Sequence, residues 1–339
     1  MSAIRVAING FGRIGRNAFK IAFDRNDIEV VAINDLSDAK TLAHLLKHDS
    51  IYGTYNREVG YDEVGITVDG THIRVLNEKD PAGLPWHDHE IDVVIESTGC
   101  FTEPQKAQAH IAAGAKRVVI SAPAKGEGVD TIVIGVNDDA VATSSPVVSN
   151  ASCTTNCVAP VMAILEEAFG VEKAMMTTVH SYTASQRLQD APAKNLREAR
   201  AAAENIVPTT TGASIATTKV LPSLTDCFGG LSVRVPTPTV SMCDFVALIK
   251  RDVTADEVNQ VFREAAGKPF YQGILDVTDE ELVSMDFKGN SHSAIVDLVL
   301  TDVVGGNLIK VVAWYDNEWG YSNRLVELTV DVGRASRAV

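Results

Sequence analysis

Short aliphatic and β-branched runs alternate with helix-compatible segments through the first half of the chain. Runs at residues 4–8 and 29–33 stand on either side of one helical segment. Later runs at residues 91–96 and 117–121 enclose a second helical segment, residues 103–113. Because this alternation is typical of βαβ units, it predicts a doubly wound α/β domain built on a parallel sheet.

The second half of the chain has a different pattern. Long β-rich runs at residues 241–250, 293–300 and 308–315 are joined by segments that do not alternate regularly with helices. One capped helical segment is predicted over residues 254–266. These runs predict a second domain with a mostly antiparallel sheet, and the last residues, 333–339, are expected to be frayed.

A glycine-rich turn directly follows the first β run. Its sequence is Gly10-Phe11-Gly12-Arg13-Ile14-Gly15, the G-x-G-x-x-G pattern, and a helical segment comes next. Glycines in this context let the backbone approach a pyrophosphate at a helix N-terminus. Asp35 ends the second β run, where a carboxylate can bind both ribose hydroxyls of an adenosine and repels a 2′-phosphate. The pattern favours NAD binding over the alternative of a purely structural glycine turn.

These observations predict a fold class and a division into domains. We expect an α/β dinucleotide-binding domain of Rossmann type over residues 1–152 and an α+β domain over residues 153–316. The length of 339 residues agrees with two domains, since one hydrophobic core seldom organises so long a chain.

Composition restricts the partners and the compartment. The net charge of −14 disfavours nucleic acid and acidic membrane surfaces, so no such partner is expected. No stretch approaches the roughly 20 apolar residues of a membrane helix, and we see no secretory signal. Five cysteines without zinc-ligand spacing indicate free thiols in a reducing compartment. We therefore predict a cytoplasmic protein without a bound metal.

The turn from Ser149 to Cys157 carries the candidate nucleophile. Cys153 lies where a β run gives way to a helical segment, and a helix N-terminus favours the thiolate over the thiol. The alternative is ordinary helix capping beside an inert buried cysteine. His180 ends a later β run and is the candidate general base, although a lone histidine is more often structural. Cys157 is interpreted as a core residue rather than a redox partner.

Several polar positions suit anions. The hydroxyl-rich turn with Thr211 and Gly212 precedes a helical segment and can hold a phosphate, although capping alone also explains it. Arg234 stands within a β run, where an anionic ligand would satisfy its charge. Arg197 and Arg200 are candidates for anion or subunit contacts. Ser121, at a strand end, either lines the cofactor cleft or is plain loop chemistry.

Six motifs in order, spread over residues 4–330, resemble one known family. They are Ala7 to Arg16, Ser152 to Cys157, His180 to Thr183, Thr209 to Ala213, Arg234 to Pro238 and Trp314 to Gly320. Together these segments closely resemble the phosphorylating glyceraldehyde-3-phosphate dehydrogenases.

This resemblance implies a mechanism. Cys153 attacks the aldehyde of glyceraldehyde 3-phosphate, His180 takes the proton, and hydride passes to the nicotinamide. Inorganic phosphate then cleaves the thioester to an acyl phosphate. The resemblance also implies that the C-terminal segment 317–339 completes the dinucleotide-binding domain and that residues 153–316 form the catalytic and oligomerisation domain. It further implies a homotetramer, in which the segment 182–206 packs near a neighbouring subunit's cofactor.

The resemblance further assigns ligand contacts. Thr183 and Arg234 are expected to bind the substrate's phosphate. Asn317 is expected to hold the nicotinamide carboxamide, and Lys79 is counted with the cofactor contacts. The attacking phosphate is assigned to a larger set, in which Arg200 is favoured over Arg197: Ser152, Thr154, Thr211, Gly212 and one of those two arginines.

Some positions depart from the family pattern. Ala191-Pro192 mixes the Leu-Pro of NAD-specific members with the Ala-Ser of dual-cofactor members, whereas Asp35-Leu36 is NAD-like. We predict a preference for NAD with some tolerance of NADP. Cys100 stands where a basic residue is common. Erythrose-4-phosphate dehydrogenase, which usually lacks the Thr-Thr-Thr-Gly-Ala turn, and a non-enzymatic thiol redox sensor are the alternative functions.

Overall fold

The computed structural model describes residues 2–337. Its internal contacts separate two compact units. Within the described residues, the first unit comprises the chain up to residue 132, residues 138–151 and the chain from residue 322 onward. The second unit comprises residues 133–137 and 152–321.

The first unit is built on a nine-stranded sheet with the strand order β10-β11-β9-β8-β1-β2-β7-β6-β5. The pairs from β10 to β7 in this order are parallel, and β7-β6-β5 are antiparallel additions at one edge. A separate short ribbon pairs β3 with β4. The strands are β1 Ile4–Asn9, β2 Ile28–Asn34, β3 His48–Asp49, β4 Gly53–Thr54, β5 Val59–Tyr61, β6 Gly65–Val68, β7 Thr71–Leu76, β8 Val93–Glu96, β9 Arg117–Ile120, β10 Asp130–Thr131 and β11 Val147–Ser149.

The helices of the first half are α1 Arg13–Phe23, α2 Ala39–Lys47, α3 Pro104–Ala107 and α4 Ala109–Ala112. The predicted single helix over residues 103–113 is therefore two short helices that meet at Gln108. The aliphatic side chains of the central parallel strands are buried, as the continuous apolar runs predicted. The parallel α/β architecture of this half is confirmed.

The second unit contains a seven-stranded sheet with the order β13-β14-β12-β15-β18-β17-β16. Four of its six pairings are antiparallel; β12 with β14 and β16 with β17 are parallel. The mostly antiparallel sheet predicted from the β-rich runs is confirmed. Its strands are β12 Val171–Ser181, β13 Val207–Thr209, β14 Phe228–Val235, β15 Ser241–Ile249, β16 Leu275–Thr278, β17 Ala294–Val304 and β18 Leu308–Tyr315.

Three helices accompany this sheet, namely α5 Cys153–Phe169, α6 Ala213–Val220 and α7 Ala255–Ala266. A capping box starts α7, since Thr254 and Glu257 each accept a hydrogen bond from the other's backbone. The core of the unit packs Val158, Met162 and Leu165 of α5 against apolar side chains of β12, β15 and β18. This packing anchors the first turn of α5.

The chain ends in the long helix α8, Trp319–Arg337. The expectation of a frayed tail from residue 333 is wrong up to Arg337, whose guanidinium donates to Ser2 O at 2.7 Å, Ala3 O at 2.8 Å and Asp92 Oδ2 at 2.5 Å. Residues 338 and 339 of that expectation lie outside the described residues. Over residues 2–337, no helix combines the length and apolar character that a membrane crossing requires.

Candidate active site and cofactor cavity

The glycine-rich turn joins β1 to α1 at the carboxyl edge of the parallel sheet. Gly10 adopts a φ of +92°, and a Cβ there would lie 2.6 Å from the backbone nitrogen of Thr98. A Cβ on Gly15 would lie 2.2 Å from the carbonyl oxygen of Gly10. Since both neighbours are backbone atoms, these two glycines are required by the close packing of the turn itself.

Gly12 differs from the other two glycines. It caps α1, yet a Cβ there would meet no atom within 4 Å, and no side chain caps the helix. The N-terminus of α1, with the positive end of the helix dipole, thus begins at a glycine that lines a cavity and carries no side-chain cap. An opening of this kind fits the pyrophosphate of a dinucleotide.

A cavity of about 770 Å³ lies beside this turn. Four of the predicted cofactor residues line it, namely Gly10, Gly12, Asp35 and Lys79. The Asp35 carboxylate accepts hydrogen bonds from the Phe11 N–H at 2.8 Å and the Ser37 N–H at 2.9 Å. Each carboxylate oxygen keeps accepting capacity, so Asp35 is held in place and can still bind hydroxyl groups.

The other fingerprint residues support the turn. The Phe11 ring is buried edge-on against Phe19 with centroids 5.7 Å apart. Arg13 forms an ion pair with Asp49 at 2.9 Å. Ile14 is half-buried in α1, and Gly15 is fully buried. In this structure these four residues do not line the cavity, and their contact with a cofactor stays a prediction.

Ser121 also lies outside the lining of the cavity. It follows β9, and its backbone N–H donates to the Glu96 carbonyl at 2.9 Å. Its position at a strand end agrees with the prediction, but the structure gives it no place on the cavity wall. Its cofactor contact stays a prediction.

The sequence analysis did not assign Asn9 and Asn34, which end β1 and β2 and line the cavity. Asn34 Nδ2 donates to Asn9 Oδ1 at 2.7 Å, and Asn9 Nδ2 donates to the buried Glu96 carboxylate at 2.5 Å. His110 Nε2 lies 3.0 Å from the same carboxylate. Polar residues at the ends of neighbouring parallel strands are the signal that could have identified both asparagines.

In the second unit, Cys153 is the first residue of α5. Ser152 caps the helix, its Oγ accepting from the Thr155 N–H at 3.0 Å. The prediction that Cys153 lies at a helix N-terminus is confirmed. Burial raises the pKa of the Cys153 thiol, while the charge of Arg234 acts in the opposite direction. A base within reach therefore matters for forming the thiolate.

A candidate base lies at the end of β12. His180 Nε2 lies 3.4 Å from Cys153 Sγ, and His180 Nδ1 lies 2.7 Å from the Ser181 carbonyl oxygen. In the tautomer with the proton on Nδ1, that proton donates to this carbonyl and Nε2 can accept the thiol proton; in the other tautomer, Nδ1 accepts from Arg234 Nη1. Burial and the charge of Arg234 lower the pKa of His180 to about 3. The imidazole is therefore neutral near pH 7 and can act as a base.

Tyr315 packs beside Cys153 and His180, and the sequence analysis did not assign it a role. Its ring meets His180 edge-on with centroids 6.1 Å apart. Its hydroxyl lies 3.0 Å from Thr154 Oγ1 and 2.9 Å from Thr178 Oγ1. The Thr154 hydroxyl is thus already engaged by the tyrosine in this structure.

Arg234, on β14, sits directly beside the histidine. Its Nη1 lies 2.5 Å from His180 Nδ1 and 3.2 Å from the Ser181 carbonyl oxygen. Its Nε is buried without a hydrogen-bond partner. Thr183, three residues beyond His180, is half-buried with its hydroxyl 3.0 Å from Ser185 Oγ. A half-buried guanidinium with an unpartnered Nε donor is suited to an anion.

The other residues predicted to bind phosphate differ in whether their polar groups already have hydrogen-bond partners within the protein. Gly212 caps α6 without a side-chain hydrogen bond, and Thr211 Oγ1 accepts from the Ala213 N–H at 3.1 Å. Arg200 Nε donates to Asp190 at 2.7 Å. The Arg197 side chain is exposed, and no ion pair holds it among the residues described. Arg197 is therefore the freer guanidinium, although Arg200 was favoured.

Asn317 lies in the loop between β18 and α8. It is buried, and its Oδ1 accepts hydrogen bonds from Ser181 Oγ and Ser241 Oγ, both at 3.0 Å. Asp316 fixes the loop, since its Oδ1 accepts from the Glu318 N–H at 3.0 Å. The cysteine, the histidine, Arg234 and Asn317 thus all project from elements of one sheet and the start of α5.

Comparisons with known proteins agree with this arrangement. Residues 4–104 match the family model described as glyceraldehyde 3-phosphate dehydrogenase, NAD binding domain, and residues 152–317 match its C-terminal domain. Similar proteins bear the name glyceraldehyde-3-phosphate dehydrogenase. The one from Streptomyces coelicolor is 55% identical over 332 residues, covering 97% of this chain and 98% of the relative.

Two further relatives extend this likeness to other bacteria. Glyceraldehyde-3-phosphate dehydrogenase 1 of Bacillus cereus is 52% identical over 96% of this chain and 97% of its own length. The protein named glyceraldehyde-3-phosphate dehydrogenase from Geobacillus stearothermophilus is 52% identical over 96% of this chain and 97% of its own length. The matches span both domains and almost the whole chain. The chain therefore belongs to the glyceraldehyde-3-phosphate dehydrogenase family of NAD-dependent oxidoreductases.

Proposed function

We propose that this chain oxidises glyceraldehyde 3-phosphate to 1,3-bisphosphoglycerate with NAD and inorganic phosphate, through a thioester on Cys153. The observation that carries this proposal is the 3.4 Å contact between Cys153 Sγ and His180 Nε2 at the N-terminus of α5. A nucleophile and a base within reach of each other, beside helix N–H groups, suit acyl chemistry at a carbonyl.

In the first step, His180 Nε2 takes the proton of the Cys153 thiol while Sγ forms a bond to the aldehyde carbon. The resulting hemithioacetal oxygen gains negative charge, which the unpaired N–H groups at the start of α5 can stabilise. Gly10, Gly12, Asp35 and Lys79 would hold NAD, which would supply the acceptor for the hydride of the hemithioacetal carbon. A thioester then remains on Cys153.

In the second step, an oxygen of inorganic phosphate attacks the thioester carbon and the Cys153 sulfur leaves as the thiolate. The acyl group is thereby transferred to phosphate without net hydrolysis. Ser152 and the backbone N–H of Thr154 are proposed to bind this phosphate together with Thr211, Gly212 and one arginine. The exposed, unpaired side chain of Arg197 supports it for that role, with Arg200 as the alternative.

The substrate's own phosphate is assigned to Arg234 and Thr183. The buried, unpartnered Nε of Arg234 supports this assignment, because a phosphate oxygen would satisfy it. Arg234 contacts His180, and His180 contacts Cys153. A substrate whose phosphate binds at Arg234 would therefore have its aldehyde close to the Cys153 sulfur.

We further propose a cytoplasmic homotetramer. Three large apolar side chains of the segment 182–206 are exposed, Leu188 to 79%, Leu196 to 83% and Ile206 to 71%. Exposed apolar groups on one segment favour a contact with another subunit. All five cysteines are free, as expected in a reducing compartment. Sedimentation analysis tests the assembly, and a monomer would contradict it.

The deciding experiment follows NADH formation from glyceraldehyde 3-phosphate and NAD, with and without inorganic phosphate. Sustained turnover that requires phosphate is the expected result, because only phosphorolysis regenerates the Cys153 thiolate efficiently. A single stoichiometric burst under both conditions would contradict the assigned phosphate site. If erythrose 4-phosphate were turned over faster than glyceraldehyde 3-phosphate, the proposed substrate would be wrong.

A further inference from the structure

Three strand ends meet at one place in the sheet of the second unit. Ser181 ends β12, Ser241 begins β15, and Asn317 follows the end of β18 by two residues. In the register of the sheet, Ser241 pairs with Tyr315, and Val179 pairs with Met242. The topology thus brings two buried serine hydroxyls to the single side-chain amide of Asn317.

The hydrogen bonds determine which end of that amide faces the serines. Ser241 Oγ accepts from the Ser181 N–H at 3.1 Å, so its own proton is left to donate. Both serine hydroxyls lie 3.0 Å from Asn317 Oδ1. If the amide were rotated by half a turn, Nδ2 would face the serines, and two buried hydroxyl protons would have no acceptor among residues 2–337. An unsatisfied buried donor is unfavourable, so the observed orientation is strongly preferred.

The other end of the amide is therefore a donor. Asn317 Nδ2 donates to none of the residues from 2 to 337, and both of its protons are available to a ligand. Asp316 prevents the loop from adjusting, because its carboxylate accepts from the Trp319 N–H at 2.9 Å and the Gly289 N–H at 2.8 Å. Asn317 can thus offer N–H groups to a ligand but not its oxygen.

We propose that Ser181 and Ser241 are positioning residues that hold Asn317 as a hydrogen-bond donor to the carbonyl oxygen of the nicotinamide carboxamide. This inference rests on the contact between Asn317 and the carboxamide in the proposed function. The consequence concerns cofactor specificity, because Asn317 would form a hydrogen bond to the carboxamide oxygen of the cofactor and none to its amino group. A cofactor whose ring carries another carbonyl group in that position should therefore bind almost as well.

The test measures dissociation constants by calorimetry, because analogues of NAD differ in reduction potential and turnover would mix binding with chemistry. The ligands are NAD, 3-acetylpyridine adenine dinucleotide, which keeps the carbonyl and lacks the amino group, and adenosine diphosphoribose, which lacks the nicotinamide. Wild-type protein is expected to bind the acetylpyridine analogue within about threefold of NAD. Binding of the analogue more than about tenfold weaker than NAD would overturn the inference without any variant.

The variants separate positioning from general damage. Ser181→Ala and Ser241→Ala are each expected to weaken NAD about five- to tenfold and to leave adenosine diphosphoribose unchanged. Ser293→Ala is the matched control, since Ser293 is 3% exposed and its hydroxyl has no partner, so NAD binding should not change. Wild-type NAD affinity in both serine variants would refute the positioning role. If Asn317→Ala kept full NAD affinity, the proposed carboxamide contact itself would be wrong.

Discussion

The three glycines of the cofactor turn allow a prediction that separates folding from binding. In Gly10→Ala, the new Cβ would lie 2.6 Å from Thr98 N and 2.8 Å from Ser97 C, and the residue would keep a φ of +92°. Overpacking against backbone and the left-handed conformation together should destabilise the first unit by about 2–5 kcal/mol. For a unit of this size, the melting temperature should fall by about 5 °C or more.

Gly12→Ala should behave in the opposite way. Its Cβ meets no protein atom within 4 Å, so loss of stability should stay near about 1 kcal/mol, the usual effect of alanine at an N-cap. The methyl group would, however, project into the opening at the start of α1. Displacing one N–H contact to a phosphate removes about 1.5–3 kcal/mol, which weakens NAD about 10- to 150-fold.

Calorimetry supplies both quantities, with scanning for the melting temperature and titration for NAD affinity. The expected outcome is a stable Gly12→Ala protein with poor NAD binding and an unstable Gly10→Ala protein. Unchanged NAD affinity in Gly12→Ala would refute the idea that the pyrophosphate lies at this opening. Equal melting temperatures of the two variants would refute the packing argument for Gly10.

Three further predictions concern the cofactor, the base and the C-terminal helix. Wild-type kcat/KM should be higher with NAD than with NADP, and equal values would contradict this expectation. In Asp35→Asn, the ratio of kcat/KM for NAD to kcat/KM for NADP should fall about tenfold, because the charge that repels a 2′-phosphate is removed. His180→Asn should slow the acylation burst about 10²- to 10⁴-fold with NAD affinity intact, whereas an unchanged burst would exclude His180 as the base. Burial alone would raise the pKa of Asp92, but hydrogen bonds from Arg337 and Lys116 hold this pKa below its ordinary value. Arg337→Ala should therefore lower stability by about 1–3 kcal/mol near pH 7. Because a depressed carboxyl pKa stabilises only the ionised protein, denaturant titrations should show this difference shrinking below about pH 4, and a difference independent of pH would contradict it.

Local signals in the sequence predicted most of the fold. The run at residues 308–315 and the capped helix after Thr254 were placed correctly, because periodicity and capping depend on neighbouring residues. The position of Cys153 at a helix start followed from the same kind of signal. Glycine spacing identified the cofactor turn, and the structure gives Gly10 and Gly15 a steric reason.

Contacts between distant segments could not be predicted in this way. The Thr154 hydroxyl bonds to a tyrosine 161 positions away, and Ser181 reaches Asn317 across 136 positions. The pairing of Arg200 with Asp190 likewise depends on how one loop folds back on itself. Such contacts arise from strand order and register, which single-sequence patterns leave open.

The last helix also affects how the protein is made. Residues 322–337 belong to the unit whose first strand starts at Ile4, and Arg337 is bonded to Ser2 and Ala3. During translation, residues 322–337 are made after residues 152–321 of the second unit. The first unit is thus begun before the second unit and receives its last helix only after it. Until then, the nascent sheet of the first unit must persist without α8.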